Sequence, residues 1–111
     1  MSQVHSDETN GQLEKLRRRL ENLLGRDAFK MVLFGSRARG DYSNNSDVDV
    51  AILVRGLTRE MKKLILEEVA EFELEHLLPI SALILSEDEF NHLKMRERRI
   101  AMDIAREGIF L

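Results

Sequence analysis

A chain of 111 residues with 43% hydrophobic and 33% charged content suits one soluble domain with a real core and leaves little room for a second. A domain this small buries a modest share of its surface, which leaves area for a protein partner or for homo- or hetero-oligomer formation. The net charge of -3 and pI near 5.6 argue against nucleic acid as the main ligand, because backbone binding needs a basic face, and the absence of cysteine excludes disulfides and thiolate metal sites.

In chain order, residues 1–8 are polar and read as a flexible N-terminus, with the domain running over 9–111. Leu13, Leu16, Leu20, Leu23 and Leu24 recur at helical spacing, and Gly25 stands where a helix stop belongs. Residues 29–34 form a short apolar run, read as a buried strand. Residues 35–46 are rich in Gly, Ser, Asn and Arg and read as a long turn. Residues 47–54 make the clearest strand, with Val48, Val50, Ile52 and Val54 on one face and Asp47, Asp49, Ala51 and Leu53 on the other. Thr58 is placed to cap a helix whose buried stripe is Met61, Leu64, Ile65, Val69 and Phe72, and Pro79 ends that element. Residues 80–85 read as a third strand. Ser86 to Glu89 spell a capping box ahead of a helix with Phe90 and Leu93. A last helix reaches Glu107, Gly108 stops it, and residues 109–111 are read as an edge strand. The fold class is therefore α/β or α+β, a single domain with a small mixed sheet and helices packed on it. No apolar run is long enough to span a bilayer and the N-terminus lacks a signal-peptide pattern, so a cytoplasmic location is expected, with no membrane partner.

The elements imply where their ends meet. Gly35-Ser36 ends strand one and Asp47 begins strand two, so antiparallel neighbours bring both to one edge. A helix of about five turns joins strands two and three, and such crossovers join parallel strands. Ser81, at the start of strand three, then falls at the same edge.

Asp47 and Asp49 lie two apart on this strand, so both carboxylates point to one face, roughly 7 Å apart. Their repulsion is about 2 kcal/mol at an effective dielectric near 20. A divalent cation relieves it, and an oxygen-only donor set favours Mg²⁺ or Mn²⁺ completed by substrate phosphates. Asp-x-Asp alone is short and common, and solvated carboxylates at a strand entrance are its ordinary explanation. The preceding turn adds to it. Gly35 lets the backbone approach a ligand, Ser36 offers a hydroxyl and an N–H for phosphate, and Arg37 and Arg39 supply positive charge.

The stretch from Gly35-Ser36 through Arg37, Arg39 and Tyr42 to Asp47-Val48-Asp49 resembles the motif of the DNA polymerase beta-like nucleotidyltransferase superfamily: Gly-Ser, ten residues, then Asp-x-Asp. It looks most like the minimal, MNT-type members. The order of elements is similar from Phe29 on, and the ending Arg106-Glu107-Gly108 is familiar from such proteins. The resemblance implies a palm-like nucleotidyltransferase fold holding Mg²⁺ and ATP or another nucleoside triphosphate. Gly35 and Ser36, with Arg37 and Arg39, would bind the phosphates, and Asp47 and Asp49 the metals. It further implies transfer of a nucleoside monophosphate to a hydroxyl. MNT-type members often act as antitoxins beside a HEPN-type toxin, some by transferring AMP to it.

One departure bears on catalysis. Active members carry a third carboxylate early in the third strand, where this chain has Ser81. A serine neither binds a second metal well nor accepts the proton of the attacking hydroxyl. This leaves two main readings: an antitoxin enzyme modifying a HEPN-type partner, or a catalytically weak binding module that neutralises its partner by complex formation. Glu75, Asp88 or a partner's side chain remains an alternative source of the missing group. Transfer to a small molecule such as an aminoglycoside is a weaker alternative, since no extra domain helps enclose it. His5, His76 and His92 show no ligand spacing, and Tyr42 reads as a packing residue of the motif turn. The basic runs at 15–19, 59–63 and 94–99 lie among acids and read as solvated helix faces.

Overall fold

The computed structural model describes residues 3–35, 38 and 47–111, with only the backbone described for 3–10. Helix α1 (Gln3–Leu24) buries Leu13, Leu16 and Leu20 completely, while Leu23 turns outward. It ends at Gly25, whose φ of 103° is a left-handed conformation costly for other residues and whose N–H bonds Glu21 O at 2.8 Å. The helical backbone reaches back to Gln3, ahead of the first buried leucine. Once the three leucines anchor the helix, each added residue contributes a hydrogen bond without needing an apolar contact of its own.

The remaining elements are β1 (Phe29–Phe34), β2 (Val48–Val54), α2 (Arg59–His76), β3 (Ile80–Ser86), α3 (Glu87–Met95), α4 (Arg99–Glu107) and β4 (Ile109–Phe110). They form a mixed sheet in the order β3-β2-β1-β4, in which β2 is antiparallel to β1 and parallel to β3, and β4 is antiparallel to β1. The parallel pair follows from the α2 crossover.

Helices cover both faces. On one, Leu13, Leu16 and Leu20 of α1 and Ile65, Val69 and Phe72 of α2 pack on Met31, Leu33, Val48, Val50, Ile52, Val54 and Ile84. On the other, Phe90 of α3 and Ala101 and Ile104 of α4 pack on Val32, Phe34, Ala51 and Leu53. The alternation read along β2 is therefore a division between two cores rather than between core and water. Two helical expectations need correction. Leu64 is 44% exposed, because the line that α2 buries runs through Ile65, Val69 and Phe72 beside it. Helix α2 also stops before Pro79 does anything directly: Leu77 takes a left-handed φ of 51° and turns the chain. Pro79 acts at one remove, by disfavouring helical geometry for the residue before it.

Thr58 caps α2 through its hydroxyl, which accepts from Met61 N–H at 3.1 Å. At α3 the capping box is complete: Ser86 Oγ accepts from Glu89 N–H at 3.0 Å, and the Glu89 carboxylate accepts from Ser86 N–H at 2.9 Å. The Ser86 backbone bond, followed by the Ser86 side-chain bond, holds the Glu89 carboxyl below its ordinary value. A carboxylate with a lowered folded pKa stabilises above its unfolded pKa, and that contribution disappears as pH falls through the folded one. The melting temperature of the native chain should therefore exceed that of Glu89→Gln near neutrality. In thermal melts the gap should close below the carboxylate range, and a gap independent of pH would show that the charge contributes nothing.

Candidate active site

Gly35 ends β1 with a φ of 76°. A Cβ there would overlap the Asp49 carboxylate oxygen, with Asp49 Cγ at 3.1 Å. Two independent demands thus fall on one position: a left-handed backbone, and room for the acidic group of the next strand. The antiparallel register, which opposes Phe34 to Asp49, produces this meeting. The Gly-Ser turn and the Asp-x-Asp strand, separate in sequence, adjoin at Gly35 and Asp49.

The third piece is brought in by two hydrogen bonds. Val48 N–H donates to Pro79 O at 2.9 Å, and Ile80 N–H donates to the Glu73 carboxylate at 3.0 Å. These bonds tie the starts of β2 and β3 together and to the end of α2. The parallel register then sets Asp49 abreast of Ser81. Registered residues of neighbouring strands lie about 4.8 Å apart and point to the same face, so Ser81, which is exposed, is within a side chain's reach of Asp49. The sequence marks Pro79 only as the end of the preceding helix and gives no sign of Glu73. A carboxylate seven residues ahead of the strand it holds has no helical or strand periodicity to reveal it.

Asp47 is exposed and stands just before β2, one residue outside the strand assigned to it from the sequence. The ladder opens at Val48, which is the first residue to find a partner. The pleat argument for parallel carboxylates therefore applies to Asp49 and not strictly to Asp47. Ser36, Arg37, Arg39 and Tyr42 lie outside the described residues.

Glu75 and Asp88, the two acids of this chain considered from the sequence as neighbours for Ser81, both lie away from it. Glu75 is held by Arg19 through two bonds of 2.7 Å on the face covered by α1 and α2, opposite to that of Ser81. The Arg19 hydrogen bond keeps the Glu75 carboxyl below its ordinary value. Asp88 follows the far end of β3, a full strand length from Ser81. Among the described residues no three His, Asp or Glu side chains cluster as a metal cage. The carboxylates of Asp47 and Asp49 are hard oxygen donors, which fit Mg²⁺ shared with substrate phosphates better than a closed structural ion. A concavity lined by Lys30, Val32, Leu53, Phe90, Ile104 and Phe110 lies toward the other end of the strands and includes none of these groups.

Comparison with known proteins gives the family and supports the fold. The nucleotidyltransferase domain model matches residues 13–110, and the chain belongs to that family. A Methanocaldococcus jannaschii protein named "putative protein adenylyltransferase" is 34% identical over 73 residues, spanning 65% of this chain and 74% of that protein. The crystal structure of a Sulfolobus solfataricus protein, described as a "putative nucleotidyltransferase", superposes with a TM-score of 0.50 at 21% identity, covering 99% of this chain and 86% of that one, and supports the fold. No helix among the described residues is long and apolar enough to cross a membrane.

Proposed function

We propose that this nucleotidyltransferase domain binds Mg²⁺-ATP at the edge shared by Gly35, Asp47 and Asp49 and transfers AMP to a protein hydroxyl, with a HEPN-type toxin as acceptor and a cytoplasmic antitoxin role. The observation that carries the reading is the packing of the Asp49 carboxylate on the Gly35 backbone, next to Asp47. The name of the M. jannaschii relative supports a protein acceptor and adenylate as the transferred group. The MNT-type motif supports the HEPN partner. Ser36, Arg37 and Arg39 complete the phosphate site in this reading. Mg²⁺ or Mn²⁺ would be held by Asp47 and Asp49 and would supply neutralisation of phosphate charge. The chain's own groups do the rest: the Gly35 turn admits the phosphates, and β2 and β3 fix the acidic edge.

Ser81 favours a second reading, in which the domain holds the nucleotide and the partner but transfers slowly. Both readings require nucleotide binding. Calorimetric titration of ATP with and without Mg²⁺ should give an affinity that depends on Mg²⁺ in the native chain. In Asp47→Asn with Asp49→Asn the Mg²⁺ dependence should vanish and the affinity fall by about tenfold or more, the equivalent of some 1.4 kcal/mol. An affinity untouched by the double substitution places the site elsewhere.

A further inference from the structure

Ser81 is more than the place of an absent carboxylate. Its hydroxyl is exposed on β3 and lies abreast of Asp49 on the same sheet face. The bonds from Val48 N–H to Pro79 O and from Ile80 N–H to Glu73 anchor the two strands just before the pair. A hydroxyl is the acceptor chemistry of the proposed reaction, and this one is built into the strand beside the acidic edge that would hold the donor. Holding a nucleophile next to its target converts a bimolecular step into an intramolecular one. Serine hydroxyls are weak nucleophiles, but the second reactant here needs no encounter.

We propose that Ser81 is a self-modification site: the domain transfers a nucleoside monophosphate from its own bound nucleoside triphosphate to Ser81 Oγ. The inference rests on the nucleotidyltransferase reading above. In this step Ser81 Oγ forms a bond to the α-phosphorus. The bond from that phosphorus to the oxygen bridging toward the β-phosphate breaks, and pyrophosphate leaves with the electron pair. The hydroxyl proton passes to water at the exposed edge. The product is a phosphodiester on Ser81 that adds a negative charge and a nucleoside where an incoming acceptor would have to enter. Such a chain is closed to further transfer, so the modification limits the domain's own activity. It also explains why a serine at this position is compatible with an otherwise intact Gly-Ser and Asp-x-Asp pair.

The test uses the full chain, Mg²⁺ and ATP without any partner. Intact-mass measurement should show a gain of one AMP group per chain, and peptide mapping should place it on Ser81. Ser81→Ala should lose the gain entirely while still binding ATP by calorimetry. Ser81→Thr, which keeps a hydroxyl, should retain the gain at a lower rate. Asp47→Asn with Asp49→Asn should lose both the gain and the Mg²⁺-dependent binding. ATP binding by the native chain with no added mass, or with the mass on another residue, overturns the self-modification and leaves the nucleotidyltransferase reading standing. Absence of ATP binding in the native chain overturns both.

Discussion

Gly35→Ala should lower stability by about 2–5 kcal/mol and weaken ATP binding together, whereas Gly25→Ala should cost only about 1–2 kcal/mol and leave binding alone. Both glycines have positive φ, 76° at Gly35 and 103° at Gly25, so alanine pays a left-handed backbone penalty of about 1–2 kcal/mol at either. The surroundings differ. A Cβ at Gly25 has nothing within 4 Å. A Cβ at Gly35 overlaps the carboxylate of Asp49, which must move or push the turn away from β2. Crowding of this kind costs about 1–3 kcal/mol on top of the backbone term. Gly25 therefore isolates the backbone cost, and the difference between the two variants measures how tightly Asp49 is packed on the turn. Urea denaturation gives the stabilities and calorimetry the affinities. Equal destabilisation by the two substitutions would mean that Asp49 relaxes freely, and the site would lose its main geometric support.

The same pair of residues marks how far the sequence could be read. The spacing from Gly35 to Asp49, and the apolar runs that bracket it, identified the edge because strand and turn chemistry are local. The parallel placement of Ser81 followed from the length of the α2 crossover. What escaped was set by long-range contact. The bidentate bond of Arg19 to Glu75 joins residues 56 apart, and no periodicity announces it. It occupies a carboxylate that the sequence leaves open as a neighbour for Ser81. Leu64 fits a helical stripe as well as Ile65 does, and only the packing of α2 on the sheet, which buries Ile65 and leaves Leu64 exposed, decides between them. Gly108 stops α4, as its place after Glu107 suggests, but not through conformational freedom. Its φ is in fact ordinary, and it is required because a Cβ would strike Ile104 O and the Val32 side chain. The alternation of faces extends the strand to Asp47, whereas the ladder begins where Pro79 O meets Val48 N–H.

Ser81→Asp should raise AMP transfer to a HEPN-type partner while abolishing self-modification. The register sets position 81 beside Asp49, so the substitution restores an acid where transfer needs a group to take the proton of the attacking hydroxyl. General-base assistance is worth about a hundredfold or more, so the rise should be plain in a labelling assay with radioactive ATP. A second readout separates this from any gain in folding. Two carboxylates about 5 Å apart repel by some 3 kcal/mol at an effective dielectric of 20, and exposure to solvent reduces that figure. Without a cation the variant should melt below the native chain. Added Mg²⁺ should raise its melting temperature more than it raises that of the native chain, since a ligand stabilises the state that binds it. Ser81→Asn is the control, because it matches the new side chain in size and lacks its charge. It should show neither the Mg²⁺-dependent rise nor the gain in transfer. If Ser81→Asp instead abolishes strong labelling by the native chain, the serine is no defect. The proton of the acceptor then leaves by way of a group on the partner, which enters the site only in the complex.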